Sequence, residues 1–394
     1  MSECSERTVE QSTSFDLALP RKVLFGAGRA DELAALMPTL GSRVLLCTGS
    51  DPSRHRHLLG DVEPVATVRV TREPLVDDAR AALDEARAAG ADSVVAIGGG
   101  SVLDLAKAIA VLLGNGTDPL DHLEVVGRGL PIERPAVPYV AVPTTAGTGA
   151  EATANAVLGS PEHGRKASIR SPHMLAAVAL VDPLLTLRCP PAVTASSGLD
   201  ALTQCLEPFV SPEANPATDA VAAEGLRRGA RSLRRAHDNG DDRAAREDMA
   251  LCSLFGGISL ANAKLGAVHG VAGVVGGMVD APHGAVCAAL LAPVVEANVR
   301  ALHDRDPDSP ALDRYAAVAR LLTGRDDATV DDALAWLRET VAALDVPPLG
   351  KVGLQPAQYT EVAEKSARSS SMRGNPVALT GDELVGVLRV AGGG

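Results

Sequence analysis

The chain has 394 residues, 46% of them hydrophobic, more than one hydrophobic core usually serves, so two well-packed domains are expected. A formal net charge of −12 and a pI near 5.3 oppose binding to phosphate backbones and anionic lipid surfaces, and no basic cluster offsets them locally, so no nucleic-acid or membrane partner is expected. Six cysteines (Cys4, Cys47, Cys189, Cys205, Cys252, Cys287) stand without C-x-x-C pairing, which speaks against a disulfide framework and against a cysteine zinc site and leaves reduced, mostly buried thiols as the expectation.

Residues 1–13, "MSECSERTVEQST", are polar and lack the apolar segment of a signal peptide, so a disordered tail and a cytoplasmic protein are expected. From about residue 21 to 185, buried β-branched runs alternate with helical stretches. These are "RVLLCT" (43–48), "VATVRV" (65–70), a helix over 75–89, "SVVAIG" (93–98), a second helix, and "YVAVP" (139–143). Such alternation predicts βαβ units around a parallel sheet.

"VVAIGGGSVLDLAKAIA" (94–110) reads as a strand, three glycines, Ser101 as a helix N-cap, and a helix, a turn suited to a phosphate or pyrophosphate. Leu103 takes the last glycine place of a G-x-G-x-x-G pattern, so the run alone is equally an ordinary βα turn. "VAVPTTAGTGAE" (140–151) repeats the logic, with hydroxyls at Thr144, Thr145 and Thr148, and two such turns at strand ends fit a dinucleotide crevice. Beyond "RVLLCT" stand Gly49 and Asp51, but also Arg54, His55, Arg56 and His57, which leaves NAD against NADP open.

Near "LRCPPAVTASSG" (187–198) a Pro pair and a Ser/Thr cluster interrupt the pattern, and a boundary is placed there: an α/β dinucleotide-binding domain over 14–190 and an all-α domain over 191–394. Helices are expected over 215–236, 242–263, 284–303 and 328–344, with polar loops at 304–313 and 366–376. The apolar run Ala285–Val295 is too short to span a bilayer and reads as a buried helix.

"HGVAGVVGGMVDAPHG" (269–284) is apolar except for its two histidines and Asp280. In one continuous helix His269 and His283 would lie ~21 Å apart. Pro282 and Gly284 instead end such a helix and let the chain fold back. In "SGLDALTQCLEP" (197–208), Asp200 and Gln204 share a helical face amid apolar neighbours. Asp, His and His suit Zn2+ or Fe2+ with room for a substrate oxygen.

Taken together, "VLFGAG" (23–28), the two glycine turns, "SGLDALTQCLEP", "GAVHGVAGVVGGMVDAPHGAVCAALLAPVV" and "GNPVALTGDEL" (374–384) resemble the iron-containing (group III) alcohol dehydrogenase family, within the dehydroquinate synthase and glycerol dehydrogenase-like superfamily. The resemblance implies a Rossmann-like N-terminal domain, a helical C-terminal domain, and a divalent metal and nicotinamide meeting between them. It implies cofactor contacts at Gly99, Gly100, Ser101, Thr144, Thr145, Thr148 and Lys166, and metal ligands at Asp200, His269 and His283, with Gln204, where most members carry histidine, as a weaker fourth ligand or a group supporting the ligands. Gly273 stands where many members carry a second histidine, and Glu73 precedes Pro74 where Asn is common. The implied activity is NAD- or NADP-dependent alcohol dehydrogenation or aldehyde reduction on a small molecule, by a homo-oligomer. The alternatives are a metal-independent enzyme resembling maleylacetate reductases and a non-catalytic nucleotide-binding relative.

Overall fold

The computed structural model describes residues 14–279 and 281–393; the expected tail over 1–13, with Cys4, lies outside the described residues. Eight strands run through the first half: β1 Val23–Phe25, β2 Val44–Thr48, β3 Ala66–Arg69, β4 Ser93–Gly98, β5 Tyr139–Pro143, β6 Asn155–Ser160, β7 Arg165–Arg170 and β8 Val178–Val181. Numbering helices of two turns or more, α1 is Val76–Ala88, α2 Gly100–Asn115, α3 Pro191–Val210, α4 Pro216–Asp238, α5 Arg243–Ala263 and α6 Ala267–Met278. They continue with α7 His283–Arg305, α8 Pro310–Thr323, α9 Val330–Ala343, α10 Tyr359–Ser366 and α11 Gly381–Ala391.

Six strands form one sheet in the order β1-β8-β5-β4-β2-β3, and every pair in it is parallel. Successive residues of its inner strands enter different cores: Leu45, Val94 and Ala141 pack on one face, Leu46, Val95 and Val142 on the other. Burial of both faces is why these strands read as continuous apolar runs. The chain leaves β2 toward β3 on one side and returns to β4 on the other, so the order switches at β2, and the glycine turn after β4 opens beside that switch. Such a crevice is where open α/β sheets bind dinucleotides.

The sequence reading did not anticipate β6 and β7, an antiparallel hairpin pairing Asn155–Ser160 with Arg165–Arg170. Ala156 and Leu158 are buried while their neighbours are partly exposed, a period-two pattern distinct from the continuous runs of the parallel strands. Fully buried Lys107 ties the hairpin to α2, donating to Thr153 Oγ1 at 2.8 Å and to the Asn155 carbonyl at 2.7 Å.

The second half is helical, around its own apolar core. Three local expectations are corrected. Ser101 is not a cap: Gly99 occupies the N-cap position of α2, and Ser101 lies in the first turn. The Ser/Thr cluster near 194–197 does not interrupt structure, because Pro191 opens α3 at a position where its missing N–H costs nothing, and Ser196 and Ser197 turn back onto the Val193 carbonyl. The loop at 304–313 is cut short by α8, and 366–376 contains a 3-10 turn over Ser370–Gly374.

The apolar run Ala285–Val295 belongs to α7, whose 23 residues make it long and apolar enough to cross a membrane by length and composition alone. In this fold 72% of its most apolar window is buried inside the protein.

Candidate metal and dinucleotide site

Three breaks in the helical half assemble the polar centre. On α3, Asp200 and Gln204 are one turn apart and almost fully buried. At Lys264–Gly266 the chain bends by 99° between α5 and α6, which places His269 in the first turn of α6. Between α6 and α7 the helix stops, Pro282 takes the N-cap of α7, and His283 begins the new helix, so the two imidazole centroids come to 5.5 Å.

No local side chain caps α6. Its free N–H groups are taken from a distance, Ala267 N–H by Asn375 Oδ1 at 3.0 Å and Val268 N–H by Glu207 Oε1 at 2.6 Å. A carboxylate there is also favoured by the helix dipole. Gly266 makes room for both, since a Cβ on it would lie 2.9 Å from each of those oxygens. The other Glu207 oxygen accepts from His269 Nδ1–H at 2.7 Å, which leaves the Nε2 lone pair facing inward.

His269 Nε2 lies 3.3 Å from Asp200 Oδ1, and His283 Nε2 lies 4.0 Å from the same oxygen. Among the described residues, Asp200 Oδ1, His269 Nε2 and Gln204 Oε1 are buried side-chain atoms with no hydrogen-bond partner. Buried polar atoms left unpartnered are costly, and a carboxylate and an imidazole lone pair converging on one point form a cation site. The residues therefore fit a divalent ion.

Charge in the site points the same way. Burial pushes the Asp200 carboxyl up, but the neighbouring imidazoles of His269 and His283 outweigh it and hold Asp200 below the usual range. Burial likewise lowers His269, yet Cys287, Asp200 and Glu207 together hold it well above its ordinary value. His283 rises to about 8, first through its electrostatic interaction with Cys287, with burial opposing.

The sequence reading missed Glu207, Asn375 and Cys287. Cys287 stands one turn after His283 on α7, and one ligand atom from each of Asp200, His269, His283 and Cys287 lies within 4.8 Å of the others. The signal was the i, i+4 spacing of His283 and Cys287, which a C-x-x-C pattern does not contain. Gln204 Nε2 donates to Asp200 Oδ2 at 2.9 Å and reaches the Gly147 carbonyl at 3.4 Å. It thereby links the polar centre to the second glycine turn.

The two glycine turns pack on each other. A Cβ on Gly99 would meet Thr145 Oγ1 at 3.3 Å, and one on Gly100 would meet Thr148 Cγ2 at 2.6 Å, so glycine is required for the approach. Gly99, Gly100, Ser101, Thr144, Thr145 and Thr148 are thus brought together, all partly exposed at one rim. Lys166, on β7, pairs with Glu73 and leans on α6, where a Cβ on Gly276 would be 3.0 Å from its Nζ. Asp51 is already engaged, accepting from Ser53 N–H at 3.0 Å and Ser53 Oγ at 2.6 Å.

Comparison with known proteins agrees with this arrangement. Residues 20–183 match the family described as iron-containing alcohol dehydrogenase, and residues 194–392 match the C-terminal part of the Fe-containing alcohol dehydrogenase family. The chain belongs to the iron-containing alcohol dehydrogenase family. It is 35% identical to a probable alcohol dehydrogenase, EutG, of Salmonella typhimurium over 323 residues, 81% of this chain and 78% of the relative. With the 1,3-propanediol dehydrogenase of Klebsiella pneumoniae it shares 32% identity over 362 residues, 91% of each. The crystal structure of sulfoacetaldehyde reductase from Bifidobacterium kashiwanohense in complex with NAD+ superposes with a TM-score of 0.83 at 27% identity, covering 97% of this chain and 99% of that one.

As an iron-containing alcohol dehydrogenase, the protein is an NAD- or NADP-dependent oxidoreductase that uses a divalent metal to interconvert an alcohol and its carbonyl partner.

Proposed function

We propose that Asp200, His269 and His283 hold the divalent ion, and that Gly99, Gly100, Ser101, Thr144, Thr145, Thr148 and Lys166 hold the nicotinamide dinucleotide. The observation that carries this reading is the convergence of the unpartnered Asp200 Oδ1 and His269 Nε2 beside two interlocked glycine turns. When bound, the ion supplies a Lewis acid toward the alcohol or carbonyl oxygen and the dinucleotide supplies the hydride acceptor or donor.

The chain's own groups do the positioning. Glu207 fixes the His269 tautomer, and Gln204 fixes the second Asp200 oxygen and ties it to the cofactor turn. The α2 N-terminus and the threonine hydroxyls offer donors to phosphate. The substrate class is a small alcohol or aldehyde whose carbon chain runs past Gly273, one turn after His269 on α6, where an added Cβ would meet nothing within 4 Å.

The reading extends to a cytoplasmic homo-oligomer. Five described cysteines are free thiols, which suits a reducing compartment. β1 lies at the edge of the sheet; its Val23, and Phe15, Leu17 and Leu19 in the segment that precedes it, are all exposed, apolar surface suited to a second copy. Metal analysis and turnover of His269→Ala test the site: loss of both is expected, and full turnover after metal removal would overturn it.

A further inference from the structure

We infer that the Cys287 sulfur is a ligand of the metal, completing an Asp200, His269, His283 and Cys287 set in which Gln204 acts as a positioning residue for Asp200. The inference rests on the metal reading above and adds an atom to it.

The spacing carries the argument. With bonds of about 2.0–2.1 Å to nitrogen and oxygen and about 2.3 Å to sulfur, a tetrahedral ion places neighbouring ligand atoms roughly 3.3 to 3.6 Å apart. The observed separations are 3.3 Å for His269 Nε2 to Asp200 Oδ1 and 3.5 Å for Cys287 Sγ to His283 Nε2. His283 Nε2 to Asp200 Oδ1 is 4.0 Å, and all four donor atoms lie within 4.8 Å of one another. Two of those atoms are buried without a partner.

Gln204 Oε1 is also buried without a partner, but it is a neutral donor and ranks behind the sulfur as a ligand, while Gln204 Nε2 holds Asp200 Oδ2. A thiolate is both charged and soft, and it selects zinc over the harder ferrous ion. Coordination releases the thiol proton to solvent, so zinc affinity rises with pH. Four protein ligands fill a tetrahedron, and access for substrate then requires expansion to five-coordination.

X-ray absorption of the zinc-loaded full-length protein tests this without relying on turnover. The expected result is one Zn–S distance of about 2.3 Å, absent from Cys287→Ser. Chelator competition on the same variant should give zinc affinity lower by about 10- to 100-fold. Bound zinc with only nitrogen and oxygen neighbours in the wild type, or a sulfur distance that persists in Cys287→Ser, overturns the inference while leaving the metal reading intact. Binding of ferrous iron but not zinc overturns the inference alone, and failure of the wild type to bind either ion overturns both. The wild-type spectrum decides the question even if Cys287→Ser does not fold.

Discussion

Glu207 Oε2 accepts the Nδ1–H of His269 across 2.7 Å, while its other oxygen caps the helix on which that histidine stands. One carboxylate thus sets both the direction of α6 and the tautomer of its imidazole. Glu207→Gln keeps the size but weakens the acceptor. Divalent-metal affinity should fall by about 10- to 100-fold with the fold retained, as read by chelator competition and circular dichroism. Unchanged affinity would reduce Glu207 to a helix cap.

A second clamp lies behind the first. Asn375 Oδ1 accepts from Ala267 N–H at 3.0 Å, and Asn375 exchanges two hydrogen bonds with Asn298, at 2.7 and 3.0 Å. Asn375→Ala leaves the buried Ala267 N–H and Asn298 Oδ1 unpaired, while Asn298 Nδ2 keeps its bond to Tyr315 Oη, which costs about 2–4 kcal/mol by the usual penalty for such groups. Thermal unfolding should show a melting temperature several degrees lower, and a shift below one degree would mean that neighbouring groups take over the lost bonds.

Much of this was legible in the sequence for a physical reason. Parallel strands buried on both faces leave continuous apolar runs, so β2, β4 and β5 stood out, and Pro282 marked the break that returns His283 to His269. The β6–β7 hairpin did not stand out, because its half-buried alternation sits among residues resembling a loop. Glu207 and Asn375 reach the site from α3 and from a turn near residue 375, a convergence set by tertiary packing that no local pattern encodes, whereas Cys287 carried a local signal in its i, i+4 spacing from His283. Asp51 shows the reverse case: a carboxylate well placed in sequence for a ribose is held by its own turn through Ser53.

Glu151 gives a pH prediction. Burial raises its carboxyl to about 7 from an ordinary 4.5, against the opposing charge of Lys107. A raised folded-state value means that the folded protein holds the proton longer than the unfolded chain does. The stability this group contributes is therefore complete below pH 4.5 and is lost as pH rises to about 7. At about 1.4 kcal/mol per pH unit the loss is on the order of 3 kcal/mol. Most other ionisable groups are common to both proteins, so the quantity to measure is the difference in melting temperature between wild type and Glu151→Gln across that range. The wild type should lose ground to the variant as pH rises, and parallel curves would show that Glu151 is ionised in the fold.

Gly273 is the test of substrate shape. It lies one turn beyond His269 on the same face of α6, and a side chain there would enter open space. Gly273→Leu should fold at least as well as the wild type, since leaving glycine in a helix gains up to about 1 kcal/mol. Its effect should fall on the substrate: kcat/KM for a long or branched alcohol should drop at least about tenfold relative to a two- or three-carbon alcohol, a difference of about 1.4 kcal/mol in transition-state binding. Equal losses for short and long substrates would indicate that the leucine disturbs the metal ligands instead, and no loss for either would place the substrate away from this face of α6.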